Sequence, residues 1–186
     1  MTTYTLEQFV DDLDAITTEE GDPAVITAKA APLLARLCLN PDAIPAECRT
    51  APAGQRGRYM LHRSPRFNVT SVIWRPGDAA GSHDHETWGL VGVVENEIEE
   101  TRYTSPDRRD LGGRVTLGVK EVLRHKPGAV STLVPPHDEI HAMYNPTRRD
   151  TVEIHVYGKD LAGLQRHTFD KDGTVKSLVS SKYMNC

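Results

Sequence analysis

From Arg58 onward the chain reads as a succession of short β-forming runs, and this limits its fold more than any other feature. RYMLH, FNVTSVIW, TWGLVGVV, EIEETRYT, EVLRH, AVSTLV, TVEIHVYG and LQRHTF are rich in β-branched and aromatic residues. Turn-forming clusters separate them: RSP, RPGDAAG, VEN, SPDRRDLGG, KPG, PPHDE, NPTRRD and KDLAG. Many short strands with regular turns predict an antiparallel sandwich or barrel. The residues before them read differently. Thr5 caps a segment with Leu6, Phe9, Val10, Leu13 and Ile16 at helical spacing, and a second Ala- and Leu-rich helix follows Gly21-Asp22-Pro23 and runs from Ala24 to Leu39. Pro41 and Pro45 then stop helix formation, and residues 40–57 are expected to be irregular. The expectation is a mainly β chain: helices within residues 1–45, then a β-barrel over residues 58–178, all in one domain spanning residues 1–186. The length of 186 residues suits a single core.

Charge and cysteine content narrow the function classes. A formal net charge of −4 gives no global basic field for nucleic acid or anionic lipid. No apolar stretch approaches the roughly 20 residues of a membrane span. The N-terminal MTTYTLEQFVDDLD is acidic and has no signal-peptide pattern. Cys38, Cys48 and Cys186 are scattered, without C-x-x-C spacing, so neither a disulfide framework nor a thiolate zinc site is expected. A cytoplasmic protein, monomeric or a small homo-oligomer, with no nucleic-acid or membrane partner, is the expectation.

The chemistry sits in the histidines. His83 and His85 flank Asp84 in SHDHETWGLVG. On a strand, residues two apart share a face, so the two imidazoles can chelate one metal while Asp84 points away. Taken alone, such a pair is more simply a solvent-facing strand start. His141, in PPHDEIHAMYN, changes the balance: a third histidine opens a later strand, with Pro136 before it and Asn145 after it. H-x-H on one strand and a distant histidine on another is how a cupin barrel assembles a metal site. Cupins usually add a carboxylate a few residues after H-x-H. Here Glu86 is adjacent and Glu95 too distant, leaving three neutral histidines. In TVEIHVYG, alternation puts Glu153, His155 and Tyr157 on one face of a strand. The pattern alone reads as an ordinary half-buried strand with a wet face. An inward face would instead pair an imidazole with a phenol in a cavity, where Tyr157 could donate a hydrogen bond to a ligand. Arg58 and Arg166 adjoin apolar strand residues, unlike the loop pairs Arg108/Arg109 and Arg148/Arg149. Each reads as a surface charge by default, and as a carboxylate clamp if directed inward. His62, His137 and His167 are taken as structural.

The order HDH-x-TWG, then DEIH, EIHVYG and QRH-x-F resembles the bacterial thiol dioxygenases of the cysteine dioxygenase superfamily, nearest to the 3-mercaptopropionate and mercaptosuccinate type. The resemblance runs from about Arg58 to the C-terminus. It implies a cupin double-stranded β-helix, a non-haem Fe(II) held by His83, His85 and His141, and an inward-facing His155 and Tyr157. In the family a serine usually stands where this chain has Glu153, so the Ser-His-Tyr relay is altered. Mammalian-type members carry, near Gly89, a cysteine that cross-links to the tyrosine, so glycine there excludes that cofactor. Arg58 falls where cysteine enzymes bind a carboxylate, and Arg166 matches an arginine of the mercaptopropionate branch. The implied reaction adds O2 to the sulfur of a small mercaptocarboxylate, giving a sulfinate, and belongs to sulfur metabolism. Two arginines would suit a dicarboxylate such as mercaptosuccinate. The alternatives are a cysteine dioxygenase, a metal-binding cupin of isomerase or sensor type, and a non-catalytic binding barrel. A 2-oxoglutarate oxygenase needs H-x-D, and His85 stands where its aspartate would be.

Overall fold

The structure, a computed structural model, describes residues 3–104 and 114–186. The expected turn SPDRRDLGG, with Arg108 and Arg109, lies outside the described residues. Helix α1 spans Leu6–Glu19 and opens on a capping box in which Thr5 and Gln8 satisfy each other's backbone amides. Helix α2 spans Pro23–Cys38, with Asp22 as its cap and proline in its first turn. The proline-rich segment after it holds two short 3-10 turns, Pro41–Ala43 and Ala46–Cys48, rather than being wholly irregular. Among the described residues no helix is long and apolar enough to cross a membrane.

Among the described residues eleven strands follow: β1 (Gly57–Arg63), β2 (Asn68–Trp74), β3 (Ala79–His83), β4 (Gly89–Glu95), β5 (Ile98–Tyr103), β6 (Val119–His125), β7 (Val130–Leu133), β8 (His141–Tyr144), β9 (Thr151–Tyr157), β10 (Gln165–Phe169) and β11 (Val175–Val179). They form two antiparallel sheets, ordered β1-β2-β9-β4-β7 and β11-β10-β3-β8-β5-β6, the double-stranded β-helix expected. Two strands depart from the sequence reading. β3 occupies Ala79–His83, most of which reads as a turn because alanine and glycine carry little β signal. β11 was not anticipated either, since VKSLV follows a turn and is half exposed.

The five-stranded sheet is buried on both faces. Val69, Ile73, Leu90, Val94, Val152, Ile154 and Val156 pack against Phe9, Leu13, Leu34 and Leu37 of the helices. On the other face Val72, Trp74, Val91, Val93, Leu133 and Met143 fill part of the space between the sheets. β9 therefore has no wet face: all seven of its residues are buried. The alternation that suggested a half-solvated strand separates helix-facing aliphatics from barrel-facing Glu153, His155 and Tyr157.

Candidate metal centre and its cavity

His83 closes β3 and is the direct antiparallel partner of His141, the first residue of β8. Register alone thus sets two imidazoles side by side. His85 lies two residues past the end of β3, in the loop toward β4, so the pair sits at a strand end rather than at a strand start. The three ring centroids are 4.8, 4.9 and 4.9 Å apart, and one ligand nitrogen from each lies within 4.8 Å of the others. Asp84 does turn away: it is buried and its carboxylate takes the backbone amide and Nδ1 of His167, both at 2.8 Å. His167 is thereby tied to Asp84.

Each Nδ1 in the trio is already occupied. His83 Nδ1 meets the Gly81 carbonyl at 2.7 Å, His85 Nδ1 the Glu139 carbonyl at 3.1 Å, and His141 Nδ1 a carboxylate oxygen of Glu100 at 2.6 Å. With the acceptors holding Nδ1–H, the Nε2 lone pairs are left to converge, which is the outer support that metal-binding histidines require. Burial, the neighbouring imidazoles and Arg166 push His83 and His85 well below their ordinary value, so both rings stay neutral and able to bind a metal. This donor set fits a divalent transition ion such as Fe(II). The carboxylate missing after H-x-H is present one residue further back from the centre. Glu100, on β5, is fully buried; it lies 41 residues before His141 and reads in the sequence as one more strand-surface charge.

Across the cavity, on β9, Glu153, His155 and Tyr157 form one line. Trp74 Nε1 donates to Glu153 Oε2 at 2.6 Å, His155 Nε2 lies 2.8 Å from that oxygen, and His155 Nδ1 lies 2.8 Å from the Tyr157 hydroxyl. A carboxylate at Glu153 fixes the tautomer: Nε2–H donates to it, and Nδ1 accepts the Tyr157 proton. The phenol hydrogen is thus committed to His155, and the lone pairs of Tyr157 face the cavity as acceptors. Burial first, and Glu153 among the charges, pushes the Tyr157 hydroxyl far above its ordinary value despite Arg166 and Arg58, so it stays protonated. Its ring stacks on His85 at 5.5 Å and 17°. Gly89 is its cross-strand partner, and a Cβ there would sit 2.7 Å from the ring. Position 89 therefore faces the tyrosine directly.

The cavity, about 640 Å³, joins these groups and is also lined by Arg56, Arg58 and Arg166. Arg166 is buried; its NH1 donates to the Asp84 carbonyl at 2.6 Å and its NH2 to Ser180 at 2.5 Å. Arg58 donates to the Ser181 carbonyl at 2.7 Å and stacks on Tyr183. Arg56 went unnoticed in the sequence, within a GQRG segment that reads as a loop. Its guanidinium covers the Trp74 ring at 3.5 Å and donates to the Ala79 carbonyl. Among the described residues none of these three is ion-paired, whereas Arg75, on the same wall, is held by Asp78 at 3.3 Å. Burial lowers both Arg56 and Arg166, against the opposing pull of Asp78 and Glu153 on Arg56 and of Tyr157 and Asp84 on Arg166. Among the described residues that line it, the cavity has more guanidiniums than carboxylates.

A family model described as cysteine dioxygenase type I matches residues 53–171. Solved structures of similar fold include a double-stranded β-helix protein of Klebsiella pneumoniae (15% identity, 73% of this chain and 93% of that one, TM-score 0.46). Others are a cupin superfamily protein of Desulfitobacterium hafniense (15%, 66% and 89%, 0.43) and a cupin 2 conserved barrel protein of Salinispora arenicola (16%, 62% and 86%, 0.43).

Proposed function

Because the chain belongs to the cysteine dioxygenase type I family, we propose that it is an Fe(II)-dependent thiol dioxygenase acting on a small mercaptocarboxylate. The substrates proposed are mercaptosuccinate and 3-mercaptopropionate, each converted to its sulfinate: thiolate plus O2 gives RSO2⁻. The observation that carries this reading is the pairing, in one cavity, of the His83–His85–His141 trio with three guanidiniums that form no ion pair among the described residues. An iron held by the trio supplies a positive centre for a thiolate and the electrons that activate O2.

The chain's own residues do the rest. Arg166 and Arg58, with Arg56, bind the carboxylate end and orient the sulfur toward the trio. Tyr157 accepts the thiol proton at its oxygen while passing its own hydrogen to His155 Nδ1. The resulting imidazolium is stabilised by Glu153 across the 2.8 Å contact at Nε2. The S–H bond breaks, an O–H bond re-forms on Tyr157, and the charge is held inside the relay. Serine in place of Glu153 could not offset that imidazolium. Cysteine is the second reading, favoured by the family's description, but its ammonium would enter a pocket where the lining carboxylate, Asp78, is already held by Arg75.

Oxygen uptake by the Fe(II)-loaded protein across mercaptosuccinate, 3-mercaptopropionate and cysteine tests the proposal. Thiol-dependent uptake with one sulfinate per O2 is expected. A wide preference for cysteine would overturn the mercaptocarboxylate assignment. Metal binding without any thiol-dependent uptake would favour an isomerase or sensor cupin instead.

A further inference from the structure

The three ligand histidines are not equivalent. His83 and His85 lean on neutral carbonyls, of Gly81 and Glu139, whereas His141 leans on the carboxylate of Glu100 at 2.6 Å. Glu100 is fully buried, and a buried carboxylate is costly unless its oxygens are satisfied. They are: Oε1 also accepts from Ser131 Oγ at 2.9 Å, and Oε2 meets His125 Nε2 at 2.8 Å. Arg102 is shared between this charge and a closer one. Its guanidinium is 3.6 Å from Glu100 but 2.9 Å from Asp138.

We infer that Glu100 is a positioning residue of the metal centre, supplying through His141 the negative charge that three neutral histidines lack. The inference rests on the metal reading proposed above. A carboxylate sharing the Nδ1 proton makes the imidazole a stronger donor at Nε2 and fixes its tautomer. The centre is then a pair of neutral histidines and one carboxylate-backed histidine. That moves the charge of a two-histidine, one-carboxylate triad one residue outward and leaves every inner ligand an imidazole.

Glu100→Gln keeps the shape and removes the charge. Its dissociation constant for Co(II), measured by chelator competition, should be about 10 to 100 times weaker than wild type. The Fe(III)/Fe(II) midpoint potential should rise, because the charge favours the more positive ion. Ser131→Ala, which removes a neutral hydrogen bond from the same carboxylate, should leave both near wild type. A Glu100→Gln protein with wild-type Co(II) affinity and potential would overturn the inference while leaving the metal site standing. Failure of the wild-type protein to bind Co(II) would overturn both. If Glu100→Gln does not fold, ¹⁵N-resolved NMR of the Zn(II)-loaded wild type decides. The His141 Nδ1–H should resonate downfield of those of His83 and His85, and equal shifts would refute the inference.

Discussion

Adding one methyl group at Gly89 should press on the relay through the ring of Tyr157 while replacing none of its residues and none of the histidine trio. A Cβ at this position would lie 2.7 and 2.9 Å from two ring carbons of Tyr157 and 3.2 Å from the Val156 carbonyl. Ordinary contact begins near 3.4 Å, so in a close-packed interior the ring must retreat by about 0.7 Å. It has little room: Tyr157 is buried, stacked on His85 and bonded to His155 at 2.8 Å. Overpacking of this kind costs about 1–3 kcal/mol, which for a chain of this size lowers Tm by roughly 2–12 °C. Displacement of an oriented group by a fraction of an ångström to an ångström lowers kcat by on the order of 10- to 100-fold. Melting curves and thiol-dependent oxygen uptake on Gly89→Ala measure the two effects. Gly92→Ala is the control. Its Cβ would meet Cys38 and Leu34, on the helix side of the same strand, so Tm should fall with kcat/KM unchanged. Wild-type kcat in Gly89→Ala, or an equal loss of activity in Gly92→Ala, would refute the claim that position 89 acts on the tyrosine.

Other outcomes follow from the same geometry. Arg166→Met leaves a buried substrate carboxylate uncompensated, which costs about 2–5 kcal/mol, so KM should rise at least about 30-fold; an unchanged KM removes Arg166 from the binding site. Arg58, more exposed, should show the same direction with a smaller effect. Glu153→Gln keeps an acceptor for Trp74 but not the charge that stabilises a His155 imidazolium, and kcat should fall about 10²-fold while Co(II) affinity stays put. Burial raises the hydroxyls of Tyr157 and Tyr183 far above 10, with Asp160 adding to the rise for Tyr183. Raised groups stabilise the fold fully below their unfolded value, so Tm should be flat below about pH 10 and fall above it. Phenolate absorbance from these two rings should appear with unfolding; their ionisation in the folded protein at pH 10 would contradict the burial. A Co(II) concentration 100 times Kd should add about 2.7 kcal/mol to stability, and His85→Ala should abolish that rise in Tm.

Much of the barrel was legible because its strands carry β-branched runs between strong turn signals. β3 was not: AAGSH holds its place through the partners on either side, β8 and β10, and that support is non-local. The trio was legible through H-x-H and a third histidine in a recognisable turn. Its chemistry was only half visible. Glu100 and His125 belong to neighbouring strands, β5 and β6, and meet His141 only through sheet pairing. EIEETRY has the texture of a solvated strand, and nothing in its pattern marks one glutamate as buried. The same limit hid the direction of Glu153, since a period of two separates the faces of a strand without saying which is wet. Arg56 was hidden by composition, because a GQRG loop gives no hint that its arginine lies on Trp74.

The proposed metal ligands and the proposed relay stand on opposite walls of the barrel: His83 and His141 on the six-stranded sheet, His155 and Tyr157 on the five-stranded one. Their separation is therefore the clearance between two sheets, and the spacers that hold it open are ordinary aliphatic side chains such as Val91, Leu133 and Met143. Met143 is both one of these spacers and part of the cavity wall. Core packing thus acts as a gauge on the active cavity. The gap between the trio and Tyr157 is a mechanical tolerance of the barrel, and it can drift through hydrophobic substitutions that touch no polar residue at all.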